Sequence, residues 1–133
     1  MSSRTPASAY QEQAVTTANG PQLLLMLCDR LAVDIARADA AMESRDFKTT
    51  NESLQHAQQI VRMLRLSLNP DGFRGGQELL AVYVFLENHL IKANLEKSVD
   101  VVRECATLVH PIHEAWRRAV SESERTNGRT NVG

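Results

Sequence analysis

The chain has 133 residues, of which 15 are Lys or Arg and 16 are Asp or Glu, so its formal net charge is −1. This balance excludes the strongly basic surface typical of nucleic-acid binding and of polybasic membrane association. Aromatic residues make up 5% of the chain, with 6 Gly and 4 Pro, a composition that disfavours a β-sandwich or a barrel.

The N-terminal residues predict little regular structure before the first long helix. Residues 1–8 are expected to be disordered, and residues 9–18 form a short, weakly helical segment with Tyr10, Ala14 and Val15 on one side. The chain shows no secretory signal and no apolar run long enough to cross a bilayer. We therefore expect a cytoplasmic protein without membrane insertion.

Four amphipathic helices are predicted after this segment, because apolar residues recur every three or four positions. Asp46 and Ser98 are suited to cap the second and the fourth helix at their N-termini. Pro111 lies inside the fourth helix and is expected to kink it. The predicted helices cover residues 21–44, 47–68, 77–96 and 98–120, and a disordered tail follows over residues 121–133.

The recurring apolar residues form one apolar stripe along each helix. These four stripes and the short connections between the helices predict the fold class. It is an all-α, antiparallel up-down four-helix bundle with a short additional N-terminal helical segment. Residues 9–120 would form a single helical domain between two disordered ends. In chain order, the predicted core stripes are Leu23, Leu27, Leu31, Ile35, Ala38 and Met42; Leu54, Ala57, Val61, Leu64 and Leu68; Leu79, Val82, Leu86, Leu90 and Ala93; and Val102, Cys105, Val109, Ile112 and Trp116.

Several apolar residues lie away from these stripes and are surplus to a simple bundle. They are either buried by neighbouring helices or by the N-terminal segment, or left at the surface for a partner. A partner chain would bind such rows through apolar anchors spaced along a helix or an extended segment. The surplus residues are Met26, Val33 and Ala40 in the first helix, Ile60 and Met63 in the second, and Leu80, Val84 and Ile91 in the third.

Residues that could carry catalysis or bind a metal are sparse. His110 and His113 have the spacing of some helical metal ligands, but no Glu stands three residues before either of them. His56 lies off its helix stripe, as the acceptor of a phosphotransfer bundle would. However, Gln58 and Gln59 occupy positions where small and basic residues are expected after such a histidine. No glycine-rich phosphate loop and no catalytic triad can be identified.

The two cysteines, Cys28 and Cys105, lie in apolar stretches and are expected to be buried free thiols. We therefore expect no metal, no cofactor and no enzymatic activity. Two other classes of function stay open beside a binding role for the surplus rows. One is a histidine phosphotransfer or other regulatory helical bundle that uses His56, and the other is a structural module that dimerises through the apolar rows.

Five short segments, spread from residue 9 to residue 116, form an ordered pattern. They consist of Ala9, Tyr10, Val15 and Thr17; Pro21, Leu24, Met26, Leu27 and Asp29; Leu54, Ala57, Gln58 and Ile60; Val82, Tyr83, Leu90, Ala93 and Asn94; and Glu114, Ala115 and Trp116. In their order and spacing these segments resemble the flagellar secretion chaperones, the bacterial proteins that hold flagellin before export. The chain departs from the family at Cys28, where an aromatic residue is usual, and at Pro111.

The resemblance implies a helical bundle that binds the disordered C-terminal segment of flagellin. Binding would prevent premature polymerisation in the cytoplasm and aid delivery to the flagellar type III export apparatus. Further partners would be the export gate and regulatory proteins. In the family, the N-terminal segment packs onto the bundle and overlaps the flagellin-binding surface. Tyr10, as a movable cover, therefore joins the eight surplus residues in the expected flagellin-binding groove.

Overall fold

A computed structural model describes residues 20–72 and 74–132, with the side chains of residues 21, 123–124 and 126–132 outside the description. It contains four helices: α1 (Gly20–Glu43), α2 (Phe47–Ser67), α3 (Gly76–Glu96) and α4 (Val99–Val132). The described residues include no β-strand. The predicted all-α four-helix fold is confirmed, whereas the disorder predicted for residues 1–8 and the short helix predicted around Tyr10 fall on residues outside the described ones.

The helices form an antiparallel bundle in which each packs on two neighbours. α1 contacts α2 and α4, and α3 also contacts α2 and α4, so α1 and α3 lie diagonally across the bundle. Along α1 and α4, Asp29 contacts His113 near one end, and Glu43 contacts Arg103 near the other. Residue numbers therefore run in opposite directions in these two helices. The arrangement decides which exposed side chains can share a surface.

The core follows the predicted stripes most closely in α4, where all five predicted residues are buried. In α3, Tyr83 is buried in place of Val82, which is half-buried. The stripe of α1 begins at Leu24 and Cys28 rather than at Leu23 and Leu27. The remaining core residues are Leu31, Ile35, Ala38, Ala41, Leu54, Ala57, Ile60, Val61, Leu64, Leu79, Leu86, Leu90, Ala93 and Val101.

A buried hydrogen bond joins α3 to α4 inside this core. The indole N–H of Trp116 donates to the hydroxyl of Tyr83, so the polar ends of two large aromatic side chains have partners away from water. Burial raises the pKa of Tyr83 above its usual range. Burial also raises the pKa of the Cys28 and Cys105 thiols to about 12, which makes both of them inert components of the core.

Side chains at the helix starts satisfy backbone groups, as the sequence predicts. The Asp46 carboxylate accepts hydrogen bonds from the Thr49 backbone N–H at 3.1 Å and from the Thr49 hydroxyl at 2.6 Å. These bonds lower the pKa of Asp46. Ser98 Oγ accepts from the Val101 N–H at 3.2 Å at the start of α4. Asp46 and Ser98 thus cap the N-termini of α2 and α4.

The connection between α2 and α3 requires glycine at two adjacent positions. Gly75 has φ +84°, a conformation that other residues rarely adopt. A Cβ atom on Gly76 would lie 2.1 Å from the Pro70 carbonyl oxygen, so only hydrogen fits there. This close approach turns the chain sharply and places the start of α3 beside the end of α2.

The last helix is longer than predicted. α4 continues through Pro111 and ends at Val132, whereas the sequence predicts an end near Val120 and a disordered tail. Proline removes one hydrogen-bond donor from a helix. Val109 and Ile112, on either side of it, are buried, so packing of this stretch on the bundle favours a continuous helix.

Candidate protein-binding surfaces

The surplus residues of α1 form an exposed row made of Met26, Val33 and Ala40, called the α1 row below. Met26 stands midway between the buried Leu24 and Cys28, about 200° around the helix from each, so it points away from the core. Met26 is 64% exposed and Val33 is 42% exposed. None of the other three described helices therefore covers the α1 row.

The two surplus residues of α2 do not lie on an exposed face. Ile60 is 1% exposed and belongs to the core, so it is not available to a partner at the surface. Met63 is half-buried against the core. The inward face of α2 includes both Ile60 and Val61, and for this reason it is wider than the predicted stripe of one residue per turn.

The surplus residues of α3 lie on its α2-facing side. Glu87 pairs with Arg62 and Arg65 of α2, at 3.4 Å and 3.6 Å. Val84 is three residues before Glu87 and Ile91 is four residues after it, so both share the side of α3 that carries Glu87. Both are exposed, and Leu80, one turn before Val84, is half-buried. The structure thus brings Leu80, Val84 and Ile91 together along one seam.

Two residues missed by the sequence analysis extend this seam. Leu95, which is 81% exposed, lies one turn after Ile91. Leu66, which is 72% exposed, lies one turn after Arg62 and so on the α3-facing side of α2. Each stands between polar neighbours in the sequence and belongs to no repeated apolar row, so periodicity does not reveal it. The apolar surface formed along the α2–α3 seam, called the α2–α3 strip, comprises Leu66, Leu80, Val84, Ile91 and Leu95.

The nine residues expected in a single groove are divided by the structure. The α1 row and the α2–α3 strip stand on helices that lie diagonally across the bundle, so no single cleft between adjacent helices contains both. Ile60 is in the core and Met63 is half-buried between the two sets. Tyr10 lies outside the described residues. What remains is two separate exposed apolar surfaces.

A small hollow lies at the start of α3, between α3 and α4. It encloses about 180 Å³ and is lined by Leu79, Val82 and Ile112, with Pro111 at its edge. Its lining is mainly apolar. It is too small and too lacking in polar groups to be a substrate site, because such sites combine a larger volume with a few convergent polar side chains.

Two histidines of α3 and α4 each pair with an acid on a neighbouring helix. His89 contacts Glu104 at 2.5 Å, and His113 contacts Asp29 at 3.4 Å. Within the described residues, no three His, Cys, Asp or Glu side chains come together as metal ligands would. His110, which the sequence paired with His113, is exposed on α4.

Comparison with known proteins identifies the kind of protein that carries these surfaces. The family described as "Flagellar protein FliS" matches residues 3–123. The chain belongs to the FliS family. A flagellar secretion chaperone FliS of Bacillus subtilis is 31% identical over 125 residues, covering 94% of this chain and 92% of the relative. The FliS chaperone of Escherichia coli is 32% identical over 111 residues, with 82% of each chain covered.

A third FliS chaperone, from Salmonella typhimurium, is 30% identical over 116 residues and covers 84% of each chain. Membership in the FliS family confirms the resemblance inferred from the sequence and agrees with the helical bundle. In the part of the chain that the structure describes, no helix is long and apolar enough to pass through a membrane.

Proposed function

We propose that this protein is a non-enzymatic export chaperone that binds the disordered C-terminal segment of flagellin in the cytoplasm. The observation that carries the proposal is the match to the FliS family over residues 3–123. The relatives are named as flagellar secretion chaperones. Two exposed apolar surfaces on a bundle with a well-packed core give that family role a physical basis here.

The exposed apolar side chains favour a partner with apolar anchors. Fully burying an aliphatic side chain stabilises a complex by about 1.5–3 kcal/mol, so leaving Met26, Val84, Leu66 and Leu95 in water forgoes several such contributions. Charged residues next to these side chains, such as Glu87 and its arginine partners, keep the free protein soluble. A client segment would cover the apolar residues and leave the charges at the rim.

The α2–α3 strip suits a helical or extended segment of the client. Its residues follow one seam, so a client helix can place anchors at positions i, i+3 or i+4 and i+7 along it. The α1 row offers a second contact on another side of the bundle. Tyr10 is proposed to cover part of these surfaces in the free protein.

By covering the C-terminal segment of flagellin, the chaperone would shield the apolar residues that otherwise drive flagellin polymerisation. The client would stay monomeric until the complex reaches the flagellar type III export apparatus. The export gate and regulatory proteins are proposed as further partners of the chaperone or of its complex. Each of these steps involves binding alone, with no change of covalent bonds and no cofactor.

Isothermal titration calorimetry with a flagellin C-terminal peptide tests this proposal. We expect a 1:1 complex with a large negative heat-capacity change and a gain in helical circular dichroism, because apolar burial and folding of the client occur together. The control is a peptide of the same composition in scrambled order. Equal binding of both peptides, or binding without a heat-capacity change, would contradict the proposal.

A further inference from the structure

His56 and Asp34 form a hydrogen-bonded pair across the seam between α1 and α2. The Nδ1 atom of His56 contacts Oδ2 of Asp34, and the other carboxylate oxygen accepts a hydrogen bond from Arg30 Nε at 3.3 Å. Asp34 is 2% exposed, whereas the His56 side chain is 45% exposed. A buried carboxylate therefore holds one edge of the imidazole ring, while nearly half of the His56 side-chain surface is exposed.

This contact fixes which nitrogen of His56 carries the proton. An ionised carboxylate can only accept hydrogen bonds, so the proton between the two groups belongs to Nδ1. In the neutral ring the free lone pair is then on Nε2, which has no hydrogen-bond partner among the described residues. By contrast, Nε2 of His89 contacts Glu104, and Nε2 of His113 contacts Asp29.

We infer that His56 is a phosphoryl-accepting residue, modified at Nε2. An incoming phosphoryl group carries negative charge and is best held by guanidinium groups. The sequence offers no cation in the residues directly after His56, but α1 supplies two. Arg30 lies four residues before Asp34 and Arg37 lies three residues after it, so both share the side of α1 that carries Asp34. Both arginines are exposed and lie on the same side of α1 as the carboxylate that contacts His56.

The charges on α2 itself do not oppose this role. Glu52 is one turn before His56 and is the nearest acid on the same side of α2 by helical spacing. It lies 3.9 Å from Lys48, and both of these side chains are exposed to solvent. The cations available to a phosphorylated His56 therefore lie on the neighbouring helix, and none stands in the residues directly after His56.

The transfer requires a donor of the phosphoramidate class, in which phosphorus is bonded to nitrogen. The lone pair of His56 Nε2 forms the new N–P bond. The donor's P–N bond breaks, and its electron pair leaves with the donor nitrogen, which is already protonated and departs as a neutral amine. The ring acquires a positive charge, and Asp34 stabilises that charge through the Nδ1 proton. The proposed modification does not depend on flagellin binding.

Phosphoramidate itself is the probe, applied to the full-length folded protein. We expect one phosphoryl group per chain on Nε2 of His56, observed by ³¹P and long-range ¹H–¹⁵N NMR. Phosphorylation of His56 should be about tenfold faster than phosphorylation of His110, because a carboxylate on Nδ1 orients the ring and stabilises its charge. His110 is the internal control, since it is exposed and has no carboxylate partner among the described residues.

Variants separate a positioning role of Asp34 from a purely structural one. His56→Gln should abolish the fast phosphorylation, whereas His89→Gln should leave it unchanged. Asp34→Asn should slow it and should redistribute the ring proton between Nδ1 and Nε2, a change that NMR detects directly. Fluorescence of Trp116, the only tryptophan, shows whether each variant is folded. Labelling of His110 as fast as His56, or no labelling of His56 in the folded protein, would overturn the inference.

Discussion

The α1 row and the α2–α3 strip are both apolar and exposed, but they are built differently. The row stands on the outer ridge of a single helix, so a partner can touch it from one side only. The strip runs along the seam of two helices that are held together by the Glu87 pairs with Arg62 and Arg65. A seam can enclose a client side chain on two sides. We therefore expect the strip to contribute more binding free energy than the row.

The largest expected effect separates the core from both surfaces. Ile60→Ala should lower the free energy of unfolding by about 2–5 kcal/mol, because Ile60 is buried and the change leaves a cavity. Denaturant titration followed by Trp116 fluorescence measures it. Flagellin binding by the fraction that stays folded should be unchanged. If the variant has normal stability but weakened flagellin binding, Ile60 belongs to the binding surface and not to the core.

The next effect tests the strip with two adjacent residues. Val84→Asp should weaken binding of the flagellin peptide by about 2 kcal/mol, because a charge would replace an anchor in a desolvated contact. Phe85→Asp is the matched control. Phe85 is also exposed, but it stacks on His89, whose partner Glu104 belongs to α4, so it points away from the strip. If calorimetry gives the same loss of binding free energy for both variants, the strip is not part of the interface.

A smaller effect is expected at the α1 row. Met26→Asp should weaken binding by about 1 kcal/mol, since a residue on an outer ridge is less completely desolvated by a partner. Ala32→Asp is the control on the same helix, because Ala32 is exposed but lies about 100° around the helix from Val33. If Met26→Asp loses more binding free energy than Val84→Asp, the α1 row contributes more to binding than the α2–α3 strip, contrary to our expectation.

A last effect, on stability rather than on binding, concerns the inward face of α1, opposite the row. Burial raises the pKa of Cys28 from 9.0 to about 12, so the folded chain keeps this thiol protonated at a pH where the unfolded chain ionises it. The folded state then binds more protons, and stability should fall as pH rises from about 9 to about 12. Iodoacetamide at pH 8 should label Cys28 and Cys105 only in denaturant. Rapid labelling of the folded protein would contradict this assignment of the inward face.

The sequence predicts the fold well where apolar residues are sparse. In α4 one apolar residue every three or four positions leaves a single possible stripe, and all five predicted residues are buried. In α1 the run from Leu23 to Cys28 places apolar side chains all around the axis, so periodicity alone does not select Leu24 and Cys28 as the inward pair. Pro111 predicts a kink in the last helix, and α4 runs through it as one helix because residues on both sides of it pack on the bundle.

The binding surfaces are less accessible to prediction because they depend on which helices are neighbours. A row such as Met26, Val33 and Ala40 can be found in one helix, but its relation to Val84 in another helix cannot. The diagonal placement of α1 and α3 separates these two sets. The same limit applies to His56, whose buried acid and nearby arginines all come from α1.

The most direct test of the central claim is a flagellin polymerisation assay with the purified chaperone. Seeded growth of filaments is followed by light scattering in the presence of one equivalent of the wild-type chain or of its Val84→Asp or Phe85→Asp variant. We expect wild type and Phe85→Asp to stop filament growth, and Val84→Asp to allow it, because only the last change disrupts the α2–α3 strip. Filament growth at the same rate with and without the wild-type chain would contradict the proposed function.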